Sequence, residues 1–354
     1  MTIRLIQLEV AHRRRVAQLE NADRAVALRG VNTLRELAMA ALDQRISLRE
    51  AVLARRSDEV FDISPASSEV RMLVPIDHPD SAHLHLSGTG LTHLGSAASR
   101  DEMHRFAAAD RAAAGDRAAA EGGSATAERA AVEGRAQTDS MRIFLQGLKG
   151  GKPAPGAVGV QPEWFYKGDG SNLTAPGNAL RRPAFALDGG EEPEIAGIYL
   201  IDAGGNPWRL GFCLANEFSD HIMERDNYLW LAHSKIREAA LGPELLTGEL
   251  PANVRGTSRI VRDGKVIWEK EFLTGESNMS HSIANLEHHH FKYSLFRRPG
   301  DVHVHFFGCA TLSYADGIEP LDGDIFDIRA DAFLLPLQNR LTPSAEPGVA
   351  VRPL

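Results

Sequence analysis

The chain has 354 residues and a formal net charge of −8, from 47 Asp and Glu against 39 Lys and Arg. That balance argues against nucleic acid as a partner, because phosphate neutralisation needs clustered Lys and Arg. Cys213 and Cys309 are too few for a disulfide framework and fit a reducing cytoplasm, and no apolar run approaches the roughly 20 residues that span a bilayer.

The length suits two domains. "MTIRLIQLEVAHRRR" lacks an apolar signal core, so no export route is expected, and "HRRR" reads as a solvated turn. "IRLIQLEV", "RRVAQLE" and "RAVALRG" have strand length, and "NTLRELAMAALDQRISLREAVLARR" has the Leu and Ala spacing of one helix capped by Asn32. Together they predict a small α+β N-terminal domain over 1–78, ending in the Pro, Ser and Asp of "DISPASSEVRMLVPIDHPDS". Residues 79–140 form a second segment, an active-site loop followed by "RDEMHRFAAADRAAAGDRAAAEGGSATAERAAVEGRAQ". This run holds almost nothing large and apolar and reads as an exposed helical excursion or lid.

Residues 141–354 turn β-rich, with Gly and Pro punctuation and a hairpin in "RGTSRIVRDGKVIWEKEFL" turning at Asp263-Gly264. "GDVHVHFFGCATLSYADGI" and "GDIFDIRADAF" alternate as strands do, and "SHSIANLEHHHFKYSLF" is helical. The three consecutive imidazoles of "HHH" at 288–290 point in different directions on a helix and cannot chelate one ion together. The "HVH" imidazoles share a strand face without a third ligand and read as hydrogen-bonded core or cleft residues. The fold class is β-rich α+β. There is no GxGxxG between a strand and a helix, no phosphate-binding GxxxxGK[ST] loop and no GxSxG elbow.

"GGEEPEIAGIYLID" opens a core-like strand with acids. Glu192 and Glu194 share a strand face, where two carboxylates repel unless a cation sits between them. If the chain folds back about Gly205, Glu217 of "WRLGFCLANEFSDH" reaches the same open end. The resulting oxygen-rich cluster suits Mg²⁺, Mn²⁺ or Ca²⁺. Regular pairing would give Asn216 and Phe218, not Glu217, the face of Glu194, so the site requires a bulge or a chain that has already left the strand. Spacing alone leaves this cation site and a set of solvated edge acids both open.

These residues resemble the fumarylacetoacetate hydrolase superfamily, in which E-x-E on a strand and an acid in a later "Asn-Asp-x-Ser" segment hold a divalent metal. The resemblance implies a mixed β-roll, a homodimer, and metal ligands at Glu192, Glu194 and Glu217, the last standing where many relatives have Asp. "PEWFYKGDGSNLTAPG" and "AHSKIREAALGPELLTG" are similar to the superfamily's two Lys-containing segments and place Lys167 and Lys235 there. With "GTGLTHLGSAASRDEMH", "SHSIANLEHHHFKY" and "FRRPGDVHVHFFG", the pattern is most similar to the sugar-acid branch, the 2-keto-3-deoxy-pentonate dehydratases.

That branch implies a small 2-keto acid substrate and its Mg²⁺-dependent dehydration to 2,5-dioxopentanoate. A cation chelated by the carboxylate and keto oxygens acidifies C3, and the enolate expels the C4 hydroxyl. Lys235 is then the group near the enolate, as a positive charge or as a base. Lys167, His221 and Thr92 are candidate substrate contacts, as is Cys309, which stands where Thr is expected. His93 and Ser96 belong to a loop over the ligand, with His93 a candidate acid or base. The alternatives are hydrolysis of an acylpyruvate or 2,4-diketo acid on the same metal, and a sugar-acid-binding protein without turnover. Hydrolytic members carry a His and a Glu where this chain has Ser96 and Ser99, which argues against the first alternative.

Overall fold

The computed structural model describes residues 2–96, 139–345 and 348–354. Ser99 and the whole Ala-rich run expected as an excursion or lid lie outside the described residues. Two sheets dominate the rest.

The larger, 13-stranded sheet runs in the order Arg56–Asp62, Arg24–Leu28, Arg13–Asn21, Arg4–Val10, Glu244–Leu246, Pro207–Asn216, Pro193–Ile201, Val302–Phe306, Leu84–Gly88 and Phe165–Asp169, with three short strands off this path. Most pairs are antiparallel, but Val302–Phe306 runs parallel to Leu84–Gly88. The five-stranded sheet is ordered Lys265–Thr274, Val254–Arg262, Ile325–Ala330, Leu337–Pro343 and Ala179–Arg182. Its first hairpin turns at Asp263 and Gly264, both at positive φ (51° and 75°), as the right-handed twist of a two-residue turn demands.

The strand Pro193–Ile201 is buried along its whole length, which explains an apolar run without alternation. Ala196, Ile198 and Leu200 face one core with Cys213 and Ala215, closed by Leu34, Leu37, Ala38 and Val52 from the N-terminal helices. Ile195, with Phe212, Leu214 and Phe307, faces a second core shared with Ile260, Phe272, Phe326 and Ile328 of the smaller sheet. The N-terminal segment, read from sequence as a unit of its own, joins the large sheet where Arg4 pairs with Leu246, and it contributes to the first core.

Two local expectations need correction. The long N-terminal helix is two, Leu34–Gln44 and Leu48–Arg55. Arg45 takes a left-handed φ of 53° that ends the first, and Ser47 with Glu50 forms a capping box that starts the second. The first helix is capped by the Thr33 side chain on the Glu36 N–H, not by Asn32. In "HHH" and "HVH", His289, His290, His303 and His305 are hydrogen-bonded to different partners, and His303 finds His85 and Asp301 with ligand atoms within 4.8 Å of one another, which the sequence did not show. His290 Nε2 meets His303 Nδ1 at 3.0 Å, His305 Nδ1 meets Ser87 Oγ at 2.9 Å, and His289 Nε2 meets Gly159 O at 3.0 Å. No helix among the described residues is long and apolar enough to cross a membrane.

Candidate active site

One irregularity in the central hairpin builds the site. From Pro193↔Asn216 to Ile198↔Gly211 the ladder is regular, and then Tyr199 pairs with Arg209, so Leu210 is an extra residue. This bulge shifts the register by one and sets Glu217 opposite Glu192, with the Glu217 N–H donating to Glu192 O at 3.0 Å. Glu192, Glu194 and Glu217 therefore continue the face that carries Ala196 and Ala215. All three line one cleft with Lys235, His221, Ser96 and Cys309.

Two short helices bring the cations. Asp220 accepts from the Met223 N–H at 3.0 Å and caps the helix His221–Asp226, which presents His221 and Glu224 on one face. The helix Leu231–Lys235 ends on Lys235, only 2% exposed. The Lys235 ammonium hydrogen-bonds a Glu192 oxygen and Ser219 Oγ (3.1 Å), and lies 3.5 Å from Glu217 and 3.8 Å from Glu224. Burial alone would lower its pKa, but Glu192, Glu217 and Glu224 raise it well above the ordinary lysine value. In the metal-free protein these carboxylates favour the charged ammonium.

The acids divide. Burial raises the Glu192 carboxyl, yet Lys235 and His221 overcome it and hold the group far below the usual range. Burial, then Glu217 and Glu192, push Glu194 well above it. Burial also raises Glu217, against Lys235 and Lys167. Glu194 accepts from the Gly308 N–H at 2.7 Å through Oε2, while its buried Oε1 has no hydrogen-bond partner among the described residues. An unsatisfied buried carboxylate oxygen fits the donor set of a divalent cation; ligand atoms of Glu192, Glu194 and Cys309 lie within 4.8 Å of one another, and Glu217 lines the same cleft without joining that group.

His221 bridges Asp188 (3.2 Å) and Glu192 (3.1 Å) and stacks on Tyr314. Burial works against its charge, but those two carboxylates raise its pKa to about 10. In the metal-free protein the His221 charge stabilises the fold fully below pH ~6.5, the unfolded value, for as long as Asp188 and Glu192 stay ionised, and its contribution is lost as pH rises through about 10. NMR of the metal-free protein should find the His221 ring titrating near 10, and His221→Gln should flatten a stability slope of at most ~1.4 kcal/mol per pH unit in that window. A ring titrating near 6.5 would remove the imidazolium from the site.

Other expected residues stand elsewhere. Lys167 is not on the cleft wall; its ammonium donates to Phe218 O (2.6 Å) and Lys235 O (3.1 Å) and sits 3.3 Å from Glu217, bracing the site from behind. Burial lowers its pKa to about 8 despite Glu217. His93 is also off the wall, its nitrogens taken by Thr92 Oγ1 (3.1 Å) and Thr274 Oγ1 (2.8 Å), and burial lowers it to about 3. It is placed as a neutral structural residue, not an acid or base. Thr92 likewise turns away and donates to Phe307 O. Ser96 does line the cleft, with its hydroxyl on His93 O at 2.6 Å.

Glu191, which alternation points away from Glu192, is fully buried and accepts from the Ser313 N–H (2.9 Å) and Oγ (2.8 Å), pinning the loop that carries Cys309. Glu224 was missed in the sequence; its one signal is its place a turn after His221 in a capped helix.

The fold is a fumarylacetoacetate-hydrolase-like β-rich α+β fold around a carboxylate–lysine cleft. No protein-family model matches the chain, and no curated protein matches it. Solved structures do. The apo form of a 2-keto-3-deoxy-D-arabinonate dehydratase is similar over 97% of this chain and 100% of that one, at TM-score 0.66 and 18% identity. Its complex with magnesium and 2,5-dioxopentanoate matches over the same shares at 0.65 and 18%. A 5-carboxymethyl-2-hydroxymuconate delta-isomerase from Mycobacterium smegmatis matches over 97% and 100% at 0.54 and 16%. These likenesses establish the fold.

Proposed function

We propose that the protein is a divalent-metal-dependent hydro-lyase that dehydrates a 2-keto-3-deoxy sugar acid, with a pentonate as substrate and Mg²⁺ at Glu192, Glu194 and Glu217. The observation that carries the proposal is the buried Glu194 oxygen, unpartnered among the described residues, in a cleft walled by four acids and the Lys235 ammonium. When bound, the cation polarises the C2 keto group of the substrate and acidifies C3. Lys235 supplies fixed positive charge where negative charge develops on the substrate oxygen.

Glu224 lines the cleft and is 2% exposed. In this reading it takes the C3 proton and returns it to the C4 hydroxyl as that group leaves as water. The unsaturated product then tautomerises to 2,5-dioxopentanoate. Glu224→Gln should lower kcat by about 10²–10⁴-fold, the usual worth of a positioned proton carrier, with Mg²⁺ affinity in calorimetry unchanged within about threefold. Unchanged kcat would remove Glu224 from proton transfer.

Elimination is favoured over attack by water because His93 is locked between two threonines and Ser96 offers only a hydroxyl already donated to His93 O. Incubation with Mg²⁺ and 2-keto-3-deoxy-pentonates should yield the semialdehyde. No product from any pentonate or hexonate isomer, or pyruvate release from acylpyruvates instead, would overturn the proposal. The implied homodimer belongs to the same reading: Phe185, Trp230 and Ile236 are exposed apolar side chains around one surface pocket that a second copy can cover. Light scattering tests it.

A further inference from the structure

We infer that Cys309 is a ligand of the cation site, making it a mixed oxygen and sulfur centre that takes thiophilic divalent cations such as Zn²⁺, Co²⁺ or Cd²⁺ in addition to Mg²⁺. The inference rests on the cation reading of Glu192, Glu194 and Glu217 and deepens it. One ligand atom each from Glu192, Glu194 and Cys309 lie within 4.8 Å of one another, and Cys309 lines the same cleft. The fully buried Glu194 Oε1, without a partner among the described residues, is the independent sign that the group lacks a ligand of its own.

The backbone aims the thiol. Gly308 has φ +92°, and a Cβ there would stand 2.5 Å from Thr92 Oγ1 and 2.7 Å from Thr89 O, so only glycine fits. Its N–H is fixed on Glu194 Oε2, which places the next residue, Cys309, against the acids. Beyond it, Ser313 is tied to Glu191 through both its N–H and its hydroxyl. Among the described residues the thiol has a single long hydrogen bond, to Thr311 O at 3.5 Å, so little holds it away from an ion.

Ligands on a tetrahedral ion with oxygen and sulfur bonds of about 2.0–2.3 Å lie about 3.6 Å apart, so side-chain rotations of about 1 Å close the set. On binding, the S–H bond breaks, the proton passes to solvent, and the thiolate pair forms the metal–sulfur bond. Soft thiolate then tilts a site that carboxylates alone would leave to Mg²⁺ towards Zn²⁺ and its neighbours.

Stripped, reduced protein titrated anaerobically with Co²⁺ should develop a thiolate-to-cobalt charge-transfer band that saturates at one equivalent. The band should vanish in Cys309→Ser and Cys309→Thr and persist in Cys213→Ser. Cys309→Ser should still bind Mg²⁺ within about threefold of the unaltered chain while its Zn²⁺ affinity falls at least about tenfold. Co²⁺ binding without a band, or a band that survives both Cys309 variants, overturns the thiol as ligand and leaves the carboxylate site standing. Calorimetry showing no binding of Co²⁺ or Mg²⁺ overturns both.

Discussion

Lys235→Met should destabilise the metal-free protein by about 3–5 kcal/mol and lower kcat/KM by at least about 10³-fold. The lysine is the cation nearest to Glu192, and it also neutralises Glu217 and Glu224 within a group of side chains almost wholly removed from water. Removing it takes the nearest cation from Glu192, and a buried charge that loses its partner retains its full desolvation cost. Methionine fills the same volume, so packing against Phe165 survives and the loss is electrostatic. A dication bound at the acids replaces the missing charge, so Mg²⁺ at about 100 times its Kd should return about 2.7 kcal/mol or more. Thermal denaturation with and without Mg²⁺ reads both effects. A metal-free variant as stable as the unaltered protein would refute Lys235 as the counter-charge of this centre.

Glu194→Gln should move stability the other way. The carboxylate is buried, lies beside Glu192 and Glu217, and has one oxygen without a partner among the described residues, so in the metal-free protein it is a strained group. A neutral amide still accepts from the Gly308 N–H and removes the free-energy cost of holding a buried carboxyl protonated near neutral pH. The metal-free protein should therefore gain about 1 kcal/mol, a few degrees in Tm. Mg²⁺ affinity should fall by at least about 100-fold, and activity by about 10³-fold, the several kcal/mol a metal supplies to the transition state. Loss of stability together with intact Mg²⁺ binding would place the cation elsewhere. Lys235→Met and Glu194→Gln thus form a pair with opposite signs on the metal-free fold and the same sign on activity, which general damage to the core would not produce.

Several features of the site were legible in the sequence because each depends on few neighbouring residues. Glu192 and Glu194 sit together because two-residue alternation alone places them on one face, and Asp263-Gly264 turns because those residues tolerate positive φ. Lys235 was readable from the resemblance of its segment to the superfamily pattern. Glu217 was readable only conditionally, since its face depends on whether one extra residue interrupts the ladder, and nothing in "WRLGFCLAN" marks Leu210 as that residue.

Residues whose role rests on contacts across the chain were not legible. Glu191 alternates away from Glu192, yet Ser313 meets it from far along the sequence. His93 carries the composition of a catalytic group, but Thr274 from the smaller sheet occupies its ring nitrogen. Lys167 matches a segment that reads as substrate-binding and instead braces Lys235 from behind.

By itself the sequence determined the β-rich α+β class, the buried central strand, the acidic pair at its start and the absence of nucleotide-binding loops. These follow from side-chain period and turn chemistry, which act over a few residues. The tertiary structure alone decided the register that turns Glu217 inward, the burial that leaves Glu194 Oε1 without a partner among the described residues, and which cations stand beside which acids. Those outcomes come from packing both faces of one strand at once. A single-residue shift, or a neighbour arriving from the far side of the sheet, changes which side chains meet without changing any local preference.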